Sequence, residues 1–163
     1  MPSDTLTTLA TLVGAKLKAQ GAMLATAESC TGGWVAQAVT AVAGSSDWFE
    51  RGFVTYSDAA KQEMLGVSAG TLAKHGAVSE QTAREMAAGA LLYSRAQLAL
   101  AITGIAGPSG GSPEKPVGTV CFAWLGKKGA PVAQTRQFKG DRESVRRQAV
   151  MVALQGVLEL LEG

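Results

Sequence analysis

Histidine occurs once in this chain, as His75, and cysteine twice, as Cys30 and Cys121. The cysteines lie far apart without C-x-x-C spacing, so neither a disulfide framework nor a zinc site is suggested, and a reducing compartment fits. H-E-x-x-H and His/Cys clusters are missing too, which favours metal-free chemistry. A histidine-based serine triad would have to use His75, which precedes Gly76 in KHGAVSE and fits a helix end better than a base. Charge is sparse: 17% of residues are charged, against roughly 25% in typical soluble proteins. The net charge of +2 is too small to argue for a nucleic-acid surface. No apolar run reaches the roughly 18 residues of a membrane span, and the opening MPSDTLTTLATLVGAKLKAQ lacks the basic start and apolar core of a signal peptide. These absences predict a soluble, cytoplasmic protein whose partners include neither nucleic acid nor membrane.

What is present is small and apolar. The 163 residues are 47% hydrophobic and include 20 glycines. That is the size of one domain, 1–163, able to bury about 70% of its unfolded surface. Leu6, Leu9, Val13 and Leu17 recur at helical spacing and predict a helix over 4–19, stopped near Gly21. A short apolar strand over 23–27 leads into the bend TAESCTGG, and Trp34, Val35, Ala38, Val39 and Val42 form a second helical stripe. FERGFVTY (49–56) reads as a strand, SDAAKQEMLG as a helix ending at Gly66, and Ser79 as the N-cap of EQTAREMAAGALLYSRA. LALAITG (98–104) is a buried strand.

Gly, Pro and Ser fill eight of the twelve places in IAGPSGGSPEKP (105–116), which is therefore a loop. VGTVCFAWL (117–125) and APVAQTRQF (130–138) form a hairpin across GKKG, and Asp141 caps a last helix to about Leu161. Alternating helices and strands predict an α/β fold, with a mixed, mostly parallel sheet covered on both faces. Ligands bind such sheets at the carboxyl ends of strands, where the bend at Ser29 and the loop after Thr103 are expected.

Two readings stand for each candidate group. Ser29, at a strand-to-helix turn, is either a nucleophile with following amides free for an oxyanion or part of a helix cap. Gly32 and Gly33 would let those amides approach a substrate. Lys61, five residues after Tyr56, is either a surface lysine or a base whose pKa is lowered from about 10.4 by burial or a neighbouring cation. Tyr56 is a core aromatic, or its phenol meets the Lys61 ammonium. The loop from Thr103 lacks P-loop and G-x-G-x-x-G spacing, yet its amides suit an anion. Seven cations against two acids between Lys127 and Arg147 are either a solvated face or a site for a small phosphorylated ligand.

TAESCTGG, GFVTYSDAAK, HGAVSE, ITGIAGPSGGSPEKPVGTV and GDRESVRRQAV, in this order, resemble the nicotinamide-nucleotide amidohydrolase family, the bacterial NMN deamidases also seen as the C-terminal domain of CinA-type proteins. The resemblance runs from about Leu6 to Leu161 and suggests the stand-alone form. It implies a three-layer α/β/α sandwich, no cofactor and no metal. It also implies hydrolysis of nicotinamide mononucleotide (NMN) to nicotinic acid mononucleotide and ammonia, with Ser29 as nucleophile and Lys61 as base. Tyr56 and Thr103 are candidate helpers. Amides of Thr31, Gly32 and Gly33 are expected at the oxyanion, and Gly104, Gly107, Arg142 and Arg146 are candidate phosphate contacts. Trp48, Phe49 and Tyr56 are candidate faces for the cationic pyridinium ring. A homo-oligomer, dimer or higher, is expected.

Overall fold

The two faces of the central sheet carry different side chains, and this sets how closely the helices approach. The computed structural model describes residues 2–162. Its elements in chain order are α1 (Pro2–Ala19), β1 (Leu24–Glu28), α2 (Trp34–Thr40), β2 (Phe49–Val54), α3 (Asp58–Leu65) and α4 (Ala69–His75). They continue with α5 (Glu80–Leu92), β3 (Leu98–Gly104), β4 (Thr119–Gly126), β5 (Val132–Gln137) and α6 (Arg142–Glu162). The strands form one sheet in the order β2-β1-β3-β4-β5. β1 pairs parallel with β2 and β3, and β4 pairs antiparallel with β3 and β5. Four strands thus run one way and β4 alone opposes them.

The period-2 alternation of a strand sorts the residues. Leu24, Leu98, Leu100, Ile102, Val120, Phe122 and Trp124 share one cluster with α1, α2 and α6. Ala25, Ala27, Ala99, Ala101 and Ala123 share the other with Ala83, Met86, Ala87 and Ala90 of α5. This is the expected α/β/α sandwich. On the alanine side the layers lie close enough that a Cβ on Gly89 would collide with the carbonyl of Leu65. Gly89→Ala is therefore expected to lower stability by about 2 kcal/mol in urea unfolding, because overpacking against backbone outweighs the roughly 1 kcal/mol gained in helix propensity. An unchanged or raised midpoint would show that the layers can separate at no cost.

Element boundaries differ from expectation in a few places. β2 stops at Val54, and Thr55 and Tyr56 leave the sheet to reach the site described below. α5 ends at Leu92, short of the expected Ala96. The unanticipated element is α4, whose N-cap Ser68 accepts hydrogen bonds from the amides of Gly70 and Thr71. Gly70 and Thr71 have poor helix propensity, and seven residues are too few for a clear apolar stripe.

The chain leaves β1 for β2 on one side of it and later returns as β3 on the other. The carboxyl ends of these three parallel strands therefore open around β1, as at a topological switch point. Ser29 follows β1, Tyr56 follows β2, and Thr103 stands one residue before the end of β3.

Candidate active site

Ser29 leaves the sheet in a held conformation. Its N–H donates to the carbonyl of Ile102 at 3.0 Å, extending the β1–β3 ladder by one residue, and its own carbonyl accepts from Gly32 N–H at 3.0 Å. Gly32 and Gly33 have φ of 59° and 104°, which a side chain would strain. The turn delivers the chain into α2, whose first amides meet a buried carboxylate. Glu28 Oε1 accepts from Thr31 Oγ1 at 2.7 Å and Val35 N at 2.9 Å, and Oε2 accepts from Ala36 N at 3.1 Å. An anion fully enclosed in this way is stabilised by the helix N-terminus and by charge-assisted hydrogen bonds. Glu28, not Ser29 or Thr31, is thus the side chain that caps α2.

Lys61 reaches the same place from α3. Ser57 caps that helix, accepting from Ala60 N at 3.0 Å, and Lys61 points back under the turn with 1% of its surface exposed. Its Nζ lies 3.1 Å from Ser29 Oγ, 3.0 Å from the Thr55 carbonyl and 3.2 Å from the Tyr56 carbonyl. Among the described residues no carboxylate pairs with it. Burial lowers the Lys61 pKa from its ordinary value, with the Asp58 charge acting in the opposite direction. The three partners suit both protonation states. An ammonium donates to all three, leaving the Ser29 hydroxyl to donate to the Tyr56 carbonyl at 3.4 Å. A neutral amine spends its two N–H on the carbonyls and turns its lone pair to the Ser29 hydroxyl.

Ser29 and Lys61 line a cavity of about 230 Å³, together with Tyr56, Thr103, Gly104 and Arg142. The contribution of Tyr56 differs from expectation. Its carbonyl, not its phenol, meets Lys61; the ring is 62% exposed at the cavity mouth, and its Oη accepts from Arg142 Nη2 at 3.2 Å. Arg142 also donates from Nη1 to the Gly107 carbonyl at 2.8 Å, which ties the glycine-rich loop to the mouth. Thr103 turns its hydroxyl to the carbonyl of Ala77 at 2.8 Å, fixing another cavity residue. At Gly104 a Cβ would stand 2.8 to 3.0 Å from Val120 and Thr119, so β3 can pass this close to β4 only as glycine.

Other candidates lie elsewhere. Arg146 sits behind the turn: Nε donates to Cys30 O at 3.0 Å, Nη2 to Thr31 O at 3.1 Å, and the guanidinium rests 5.4 Å from the Trp34 ring centroid. It does not line the cavity. Thr31 is buried against Glu28, and the Gly32 amide, expected to face substrate, is taken by the Ser29 carbonyl. Trp48 is core, and Phe49 packs against the same cluster. His75 ends α4 in a separate groove, its carbonyl accepting from Lys115 Nζ at 2.6 Å. Cys30 borders the cavity, but burial pushes its thiol up to about 12, so at neutral pH it is neither thiolate nor base.

The role of Glu28 is not apparent from the sequence. A single acid between a strand and a glycine turn gives no period to read, although an acid ahead of a helix start is itself a capping signal. The Thr55 and Tyr56 carbonyls carry no sequence signal at all.

A mixed α/β sheet with a serine one hydrogen bond from a buried lysine, at the carboxyl ends of its parallel strands, describes the class of architecture. Within it, this chain belongs to the CinA C-terminal domain family, whose model matches residues 6–161. It is 58% identical over 155 residues to the nicotinamide-nucleotide amidohydrolase PncC of Escherichia coli strain K12, covering 95% of this chain and 94% of that protein. It is 52% identical over 157 residues to PncC of Pseudomonas putida, covering 96% and 98%. Among solved structures, the competence/damage inducible protein CihA of Agrobacterium tumefaciens superposes with a TM-score of 0.92 at 47% identity, covering 97% of this chain and 96% of that one.

Proposed function

We propose that this chain hydrolyses the carboxamide of NMN to nicotinic acid mononucleotide and ammonia, with Ser29 as nucleophile and Lys61 as its base. The observation that carries the reading is the 3.1 Å approach of Lys61 Nζ to Ser29 Oγ in a family whose near-full-length relatives are named for this reaction. The neutral amine of Lys61 takes the hydroxyl proton as Oγ adds to the carboxamide carbon. The C=O pair moves to oxygen, where the amide of Cys30, which borders the cavity directly after Ser29, can donate to it. Such a donor is commonly worth about 3 kcal/mol. The lysine ammonium then protonates the amide nitrogen, the C–N bond breaks, and ammonia leaves a nicotinoyl ester on Ser29. Water, deprotonated by the same amine, cleaves that ester and restores Ser29. The test is equimolar release of ammonia and nicotinic acid mononucleotide from NMN by the wild-type chain, with free nicotinamide as comparison; inertness toward NMN would sink the reading.

The cavity takes the nicotinamide end of the substrate, and the phosphate extends to the mouth. There we assign Arg142, exposed and with donors beyond those given to Gly107 and Tyr56, to the phosphate, and the Tyr56 ring to the pyridinium face. Arg142→Ala is expected to raise KM for NMN roughly 30-fold, the equivalent of about 2 kcal/mol for a charged hydrogen bond, with a much smaller loss in kcat. Unchanged KM would remove Arg142 from the phosphate site.

A further inference from the structure

We infer that Arg146 is a positioning residue that aims the amide of Cys30 at the acyl oxygen without touching substrate. The inference rests on the hydrolytic reading of Ser29 above. Its basis is the planarity of the peptide bond. In a trans peptide the C=O and the following N–H point in opposite directions, so holding one aims the other. Arg146 Nε holds the Cys30 carbonyl, and this fixes the N–H of Thr31 on the far side of the same plane. Arg146 Nη2 holds the Thr31 carbonyl, which fixes the N–H of Gly32. That N–H donates to the Ser29 carbonyl, which in turn fixes the N–H of Cys30. Two of these three consecutive planes are held by the guanidinium directly, the Thr31 carbonyl also accepting from Trp34 N at 3.0 Å, and the third is held through Gly32; the amide this leaves at the cavity is that of Cys30, which directly follows Ser29.

Two further contacts steady the arrangement, one at Arg146 and one at the turn. The guanidinium lies over the Trp34 ring, and Glu28 grips the other side of the turn through the Thr31 hydroxyl and the α2 amides. A cation bonded to carbonyls also draws electron density from both peptides and strengthens their N–H groups as donors, the cooperative effect of linked hydrogen bonds.

The test uses the full chain carrying Arg146→Ala or Arg146→Lys, with two readouts: steady-state NMN hydrolysis, and the rate at which a fluorophosphonate probe labels Ser29. The probe also needs oxyanion donors but contains no nucleotide. For Arg146→Ala we expect kcat and the labelling rate to fall together by roughly 100-fold while KM stays within about twofold, with partial recovery on adding methylguanidinium. Arg146→Lys retains the charge but offers one nitrogen for two carbonyls, so an intermediate loss at unchanged KM is expected; it also serves if the alanine variant does not fold. A rise in KM with kcat and labelling unchanged would overturn the inference and make Arg146 a substrate contact. Unchanged values throughout would overturn it as well. If the wild type labels at Ser29 with this dependence on Arg146 but leaves NMN intact, the inference stands and the NMN reading falls.

Discussion

Ser29→Ala is expected to lower kcat for NMN by about 10⁴- to 10⁶-fold while the chain stays folded. The magnitude is that of removing a covalent nucleophile from an otherwise intact site, where the remaining oxyanion donors and substrate binding still accelerate attack by water. Folding should be nearly unaffected. The Ser29 hydroxyl makes one long hydrogen bond to a carbonyl and one to Lys61, whereas its backbone, which alanine keeps, carries the ladder bond to Ile102 and the turn bond from Gly32. Substrate affinity should be retained, so binding of NMN to the variant, measured calorimetrically, separates loss of chemistry from loss of the site. A variant that keeps its rate would reassign Ser29 to shaping the turn.

Removing Lys61 is expected to cost about as much. Lys61→Ala leaves the Ser29 proton with no acceptor but the Tyr56 carbonyl, which cannot take it. Because nucleophile and base act as a unit, the double variant Ser29→Ala/Lys61→Ala should be little worse than either single one; additive losses would mean that the two side chains serve separate steps. The pH dependence of the wild type carries the same claim with a defined sign. The amine works deprotonated, so kcat/KM rises with pH through the Lys61 pKa and levels off above it. Burial lowers that pKa, so the rise falls below the range of an exposed lysine, about 10.4. The Asp58 charge acts to raise it, so Asp58→Asn should move the rise to lower pH. A movement to higher pH would contradict the assignment of the base.

How much of this was legible depends on how each feature is encoded. β3 could be bounded to the residue because Gly104 and the glycine- and proline-rich loop end its apolar run. The cap residues Ser57, Ser79 and Asp141 were readable because a side chain ahead of a helix has a local job, and each accepts from an amide three residues on. The meeting of Ser29 with Lys61 was not legible in periodicity. It depends on β2 lying beside β1, and so on a non-local pairing that places the start of α3 under the turn. Family resemblance supplied the pairing; geometry supplied the burial and the carbonyl partners. Arg142 and Arg146 stand one helical turn apart in GDRESVRRQAV and look equivalent in sequence. The structure distinguishes them, since one opens onto the cavity mouth and the other is spent on the carbonyls of the turn. The phenol of Tyr56 was misjudged because a side chain draws attention that its own backbone carbonyl does not.

The most direct test of the account compares ammonia and nicotinic acid mononucleotide release from NMN for four chains: wild type, Cys30→Ala, Ser29→Ala and Lys61→Ala. The account predicts turnover in the first two, since the Cys30 thiol is buried and protonated, and losses of several orders of magnitude in the other two with the fold retained. An inert wild type, or a Ser29→Ala chain that still releases ammonia at the wild-type rate, would contradict it.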